Sequence, residues 1–139
     1  MSRNLRKGGR RNRQGVAAIE FAMVAPLFIF MMLGIIVYGG WFWMAHTVQA
    51  LASESARSAI AGLDATERES LARGMVTAHA PALGLDPTLT TTAVTSTTNS
   101  FTVDVIYDAR NHPLMSLAIL MPKPPAQIKR SAVVRLEGY

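Results

Sequence analysis

Residues 21–45 form a run of twenty-five consecutive uncharged positions, mostly Ala, Leu, Ile, Val, Met and Phe, in a chain of 139 residues. As an α-helix at 1.5 Å per residue the run is about 37 Å long, more than the roughly 30 Å of a bilayer's hydrocarbon core. A buried core helix of this kind needs protein on every side, and so small a remainder cannot supply it. The apolar part of a secretory signal is about 7–15 residues and ends in a small-residue cleavage site. Here the run is longer and ends in Tyr38, Trp41, Phe42 and Trp43. It therefore reads as a transmembrane helix whose tilt the sequence leaves open. Tyr38, Trp41 and Trp43 are expected at the far membrane interface, where amphipathic rings settle.

The charge is distributed accordingly. The formal net charge is +5, and Arg3, Arg6, Lys7, Arg10, Arg11 and Arg13 supply six of the fourteen positive side chains, with no acidic residue before Glu20. Without the first fifteen residues, eight positive and nine negative side chains remain. The basicity is thus a property of the leader and argues for no nucleic-acid partner. Positive charge on one side of a span predicts a cytoplasmic N-terminus and an extracytoplasmic C-terminal part. Cysteine is absent, so neither a disulfide framework nor a thiolate metal site is available.

Two residues break the apolar pattern. A carboxylate such as Glu20 entering a bilayer costs on the order of 2–3 kcal/mol or more, which makes it a functional candidate. Pro26 removes a backbone donor and tends to kink a helix, a defect that membrane spans tolerate when neighbours satisfy the freed carbonyl. Reading on from the leader, Gly15-Val16-Ala17-Ala18-Ile19-Glu20-Phe21 places a glycine, four small or aliphatic residues, a glutamate and an aromatic at the head of the span. Glycine allows close backbone approach to a protease. A cut after Gly15 would give Val16 an amine of reference pKa about 7.7–8.0, a partner for a buried Glu20 carboxylate.

This motif resembles the prepilin peptidase site of type IV pilin families, which implies cleavage between Gly15 and Val16, with Glu20 and Phe21 in recognition and assembly. More widely, the chain resembles the TadE-like minor pilins of tight-adherence (Tad) pili. The resemblance rests on residues 13–27, including Pro26, on the Ala- and Arg-containing stretch at residues 49–59, and on residues 130–137. Phe21, and the size of the part after the span, set the chain apart from the short major pilins, which commonly carry Tyr after the glutamate. The Asp-x-Ser-x-Ser metal site of larger relatives does not occur in the sequence. The resemblance implies the prepilin peptidase, other major and minor pilins, and an inner-membrane assembly platform with its ATPase as partner machinery.

Beyond the span, Val48, Leu51, Ala52, Ala56, Ala59, Ile60 and Leu63 recur at spacings of three and four, so the helix is expected to continue with one apolar face. Glu54 and Arg57 are spaced for mutual contact. Gly62 is a plausible helix stop, and Asp64-Ala65-Thr66-Glu67 has the form of a capping box opening a second helix to about His79. The threonine-rich residues 88–98, and Phe101, Val103, Val105 and Tyr107 in alternation with polar positions, predict two strands turning at Asn99-Ser100. Threonine-rich chain can alternatively form a disordered stalk. A third strand is expected over residues 128–137, and residues 114–121 read as a packed loop or short helix.

The expected fold class is α+β: a long N-terminal transmembrane helix continuing into an amphipathic helix, a second short helix, and a small antiparallel sheet of about three strands. The domains are a cleaved cytoplasmic leader at 1–15, a span at 16–46 and an extracytoplasmic pilin-like domain at 47–139. His46, His79 and His112 lack zinc-site spacing, and no glycine elbow or phosphate loop is present, so no catalytic residue, metal, cofactor or small-molecule substrate is expected. The reading is a minor pilin for Tad-type pilus assembly or priming in the inner membrane. Its alternatives are a single-span periplasmic scaffold that never enters the filament and, least supported by the residues, a small anchored enzyme.

Overall fold

The computed structural model describes residues 9–119 and 121–136, with side chains from Gly15 onward. The leader's basic side chains and Glu137, at the end of the expected third strand, lie outside the described residues. The elements are α1 (Gly9–Ala59), α2 (Ala65–His79), β1 (Thr90–Ser96), β2 (Ser100–Asp108), α3 (Pro113–Leu117) and β3 (Gln127–Arg135), with short 3-10 turns at Pro81–Leu83 and Pro87–Leu89. The fold is α+β as expected, with one long apolar helix carrying a shorter helix and a three-stranded sheet.

α1 is a single helix of 51 residues that continues through Pro26. One stripe of it, Met44, Ala45, Val48, Leu51, Ala52, Ala56 and Ala59, is buried against Ala72 and Val76 of α2 and against Phe101, Val103, Val105 and Tyr107 of β2. Ser55 lies fully buried on the same stripe, and its hydroxyl donates to the Leu51 carbonyl at 2.6 Å, so no polar group is left unpaired there. Each fully buried large apolar side chain contributes about 1.5–3 kcal/mol relative to exposure.

The apolar face is shorter than the spacing suggested. Ile60 and Leu63 are exposed, because α1 ends at Ala59 and the chain turns, with the Gly62 N–H donating to the Ala59 carbonyl at 3.1 Å. Gly62 is needed by a close approach, since a Cβ there would lie 2.7 Å from the backbone nitrogen of Arg68. Overpacking of this kind costs about 1–3 kcal/mol, so Gly62→Ala should lower the denaturant midpoint of the detergent-solubilised protein while leaving the slope unchanged. The capping box forms with one change of partner. Asp64 accepts from the Glu67 N–H at 2.8 Å, while the Glu67 carboxylate reaches back to the Leu63 N–H at 2.8 Å. Glu54 and Arg57 form no ion pair among the described residues; the pairs there are Arg73–Glu69, Arg110–Asp108 and Lys129–Asp104.

The strands lie in the order β1-β2-β3, antiparallel throughout, with Thr92 opposite Val105 and Asp104 opposite Ser131. The threonine-rich stretch is a strand, not a stalk. β2 buries Phe101, Val103, Val105 and Tyr107 on one face, as its alternation predicts. On the other face Asp104 accepts from Ser131 and pairs with Lys129 Nζ at 2.8 Å, and these two partners hold its carboxyl below the ordinary value of 3.8. A lowered carboxylate stabilises the fold above pH 3.8 and loses that contribution as the pH falls through the folded-state value. A surface pair of this type, with its lysine more than half exposed, is worth about 0.2–1 kcal/mol. Asp104→Asn should therefore melt slightly below wild type at neutral pH, and the difference should close in acid; a gap independent of pH would contradict the pairing.

Candidate functional site

The residues picked out by the motif lie on the part of α1 that no other element covers. Every residue from 16 to 36 is exposed or half-buried, with Val16 56% and Phe21 73% exposed, and Glu20 is exposed with no ion pair among the described residues. Burial begins at Val37, which is fully enclosed. The bare segment is about 31 Å long at 1.5 Å per residue, the thickness of a bilayer's hydrocarbon core at roughly 30 Å. By length and composition α1 can cross a membrane.

Gly15 sits within α1, and a Cβ placed on it would meet no atom within 4 Å. Glycine inside a helix costs roughly 0.5–1 kcal/mol relative to alanine. No turn or close contact among the described residues explains it, a property it shares with the helical Gly34, Gly39 and Gly74. Contrast Gly40, where a Cβ would overlap the Leu114 side chain, so that the absence of one lets the start of α3 sit against α1.

Of the aromatics expected at the interface, two have a structural task. Tyr38 donates its hydroxyl to the Pro122 carbonyl at 2.7 Å, and Trp41 donates Nε1–H to the Pro125 carbonyl at 2.9 Å. Spaced three apart, they share a helix face and clasp the proline run, whose carbonyls have no strand to pair with. Trp43 points elsewhere and is 70% exposed. The packed domain thus takes hold of the helix from residue 37, ten positions before the expected boundary at 47. The clasp, with Val37, Gly40, Leu114, Pro122 and Pro125, was not anticipated. Its signal is an aromatic pair with polar tips on one helix face, together with the proline-rich run Pro122-Lys123-Pro124-Pro125.

Against the family models of known proteins, residues 15–57 match the one described as TadE-like protein. Those residues are similar to that family. The match opens at the glycine of the motif, takes in Glu20, Phe21, Pro26 and the clasp aromatics, and closes at Arg57 within the second resembling stretch. The stretch at 130–137 lies outside it. Searches of curated proteins and of solved structures returned no match. The TadE-like segment supports a place in the Tad pilus system, and it is the segment that carries both the exposed apolar helix and the motif. The remaining chemistry-bearing residues are dispersed: His46 lies on α1, His79 on α2 and His112 just before α3.

Proposed function

We propose that this chain is a minor pilin of a Tad-type system, cut between Gly15 and Val16 by a prepilin peptidase and needed to assemble or prime the pilus. The observation that carries the reading is a helical glycine that no contact among the described residues requires, five positions before an exposed acid with no ion-pair partner among those residues, at the head of a bilayer-length bare helix. A costly glycine that packing does not require fits a protease subsite, and an unpaired acid in lipid fits a partner that only the cut creates. In this reading residues 16–36 cross the inner membrane with the leader in the cytoplasm, and the domain built on the rest of α1 stands on the periplasmic side. Prepilin peptidase, other pilins and the assembly platform are its partners. It is a structural protein and not an enzyme.

The domain's two outer strands, β1 and β3, each leave one edge unpaired within the described sheet, which also suits a scaffold that holds a periplasmic partner by strand addition and stays in the inner membrane. Shearing separates the two. If the chain is a pilin in the fibre, it should be recovered in the sheared filament fraction of piliated cells; recovery in the membrane fraction alone, with piliation intact after its deletion, would reject the pilin reading.

A further inference from the structure

We infer that α3 and the proline run form a second membrane contact, a lipid-seated collar around α1 whose occupant is the outer leaflet of the inner membrane. The inference rests on residues 16–36 being the span. The end of that span and the start of protein packing coincide at Val37, so anything bound to the next helical turn lies at the level of the lipid headgroups. Three contacts put this segment there: Leu114 against Gly40, Pro122 against Tyr38 and Pro125 against Trp41. Residues 38–41 cover about 4.5 Å of helix, within the headgroup layer that brings a bilayer to about 40–45 Å overall.

Between these attachment points the chain does what a water-facing turn avoids. Leu117 is 46% and Ile119 81% exposed, although Met115 and Ala118 beside them are buried. Phe42, exposed one helical turn beyond Tyr38 on the same side of α1, adds apolar surface near these attachment points. A cationic margin adjoins it. Lys123, exposed and outside every ion pair among the described residues, lines a shallow depression of about 330 Å³ together with Arg110, Asn111, His112 and Ser116. Arg110 is engaged by Asp108, which leaves Lys123 as the cation for a lipid phosphate. Exposed apolar tips beside an exposed ammonium supply the two chemistries a leaflet surface answers, acyl chain and phosphate. The collar would fix the tilt and height of the domain on the membrane, which one helix alone does not.

The chain has no cysteine, so single-cysteine labels can be read without background. An environment-sensitive fluorophore is placed at Ile119→Cys, at Val133→Cys on β3 and at Phe28→Cys within the span, in the full-length protein reconstituted into phosphatidylcholine vesicles with and without phosphatidylglycerol. The Ile119 label should be quenched by lipids brominated near the headgroup and shielded from aqueous iodide, whereas the Val133 label should show the reverse. Lys123→Glu should reduce the shielding of Ile119 in phosphatidylglycerol vesicles more than in pure phosphatidylcholine. Equal iodide quenching at 119 and 133 overturns the collar. So does shielding at 119 that disappears when the protein is diluted in lipid, since that assigns the face to a second copy of the chain, and so does indifference to Lys123→Glu. A Phe28 label that is open to iodide sinks the spanning reading itself.

Discussion

Glu20→Ala is expected to abolish surface pili while leaving the chain inserted and cut after Gly15. The expectation follows from the absence of any ion-pair partner for Glu20 among the described residues and from its place on a helix segment that no other element covers. Alone in lipid, the carboxylate costs about 2.5–3.5 kcal/mol. Val16 precedes it by four residues, one helical turn, so a new amine at Val16 and the Glu20 carboxylate lie on one face, ready to pair within a chain or between adjacent chains. Removing one member of a buried ion pair costs about 3–5 kcal/mol, because the other charge is left uncompensated. At 1.4 kcal/mol per tenfold, that is more than two decades in association. Glu20→Gln keeps the shape and drops the charge, and should fail like alanine; Glu20→Asp should retain part of the function. Filament counts by electron microscopy, set against intact mass to verify the cut, check this. Normal piliation with alanine or glutamine at 20 would remove the ion-pair account.

The second large effect is on stability. Phe101 is fully buried in β2 and sits under the Arg68 guanidinium, 5.4 Å from the ring centroid. Arg68 Nε is itself buried without a hydrogen-bond partner, and the ring face is the surface on which its guanidinium rests. Phe101→Ala removes the largest fully buried side chain of the core and that platform together, and should cost about 3–5 kcal/mol. Against a typical total of about 5–15 kcal/mol, the domain would be left marginal or unfolded. Val133→Ala, on the exposed face of β3, should change stability by no more than about 0.5 kcal/mol. Denaturant titration of the detergent-solubilised full chain in a Trp43→Phe background, followed by the emission of Trp41 as the clasp opens, separates the two outcomes. Equal midpoints would contradict the assignment of the core.

What the residues announced, and what they did not, divides by distance along the chain. The capping box at Asp64, the strand alternation from Phe101 to Tyr107 and the length of α1 are written in neighbours a few positions apart, where period and hydrogen-bond reach decide the outcome. Even there, the local signal overran at Ile60 and Leu63: spacing alone carries a helix face past a terminus, and the close approach of Arg68 to Gly62 that fixes the turn comes from the next helix. The clasp was illegible for a different reason. Tyr38 and Trp41 each meet a carbonyl 84 residues away, and an aromatic with a polar tip looks the same in sequence whether a lipid interface or a proline carbonyl receives it. For the motif the reverse holds. Gly15 and Glu20 are conspicuous in sequence by their spacing at the head of the span, while among the described residues Gly15 meets no packing need and Glu20 has no ion-pair partner, so the fold adds nothing to what the motif already said.

The identity of the first residue of the mature protein tests this most directly. N-terminal sequencing or intact-mass measurement on membrane-extracted protein, from cells with and without the prepilin peptidase, should give a chain beginning at Val16 when the enzyme is present and at the leader when it is absent. A leader retained in both, or a mature chain beginning anywhere other than Val16, would contradict the account, because the amine meant to meet Glu20 would then never form at its place.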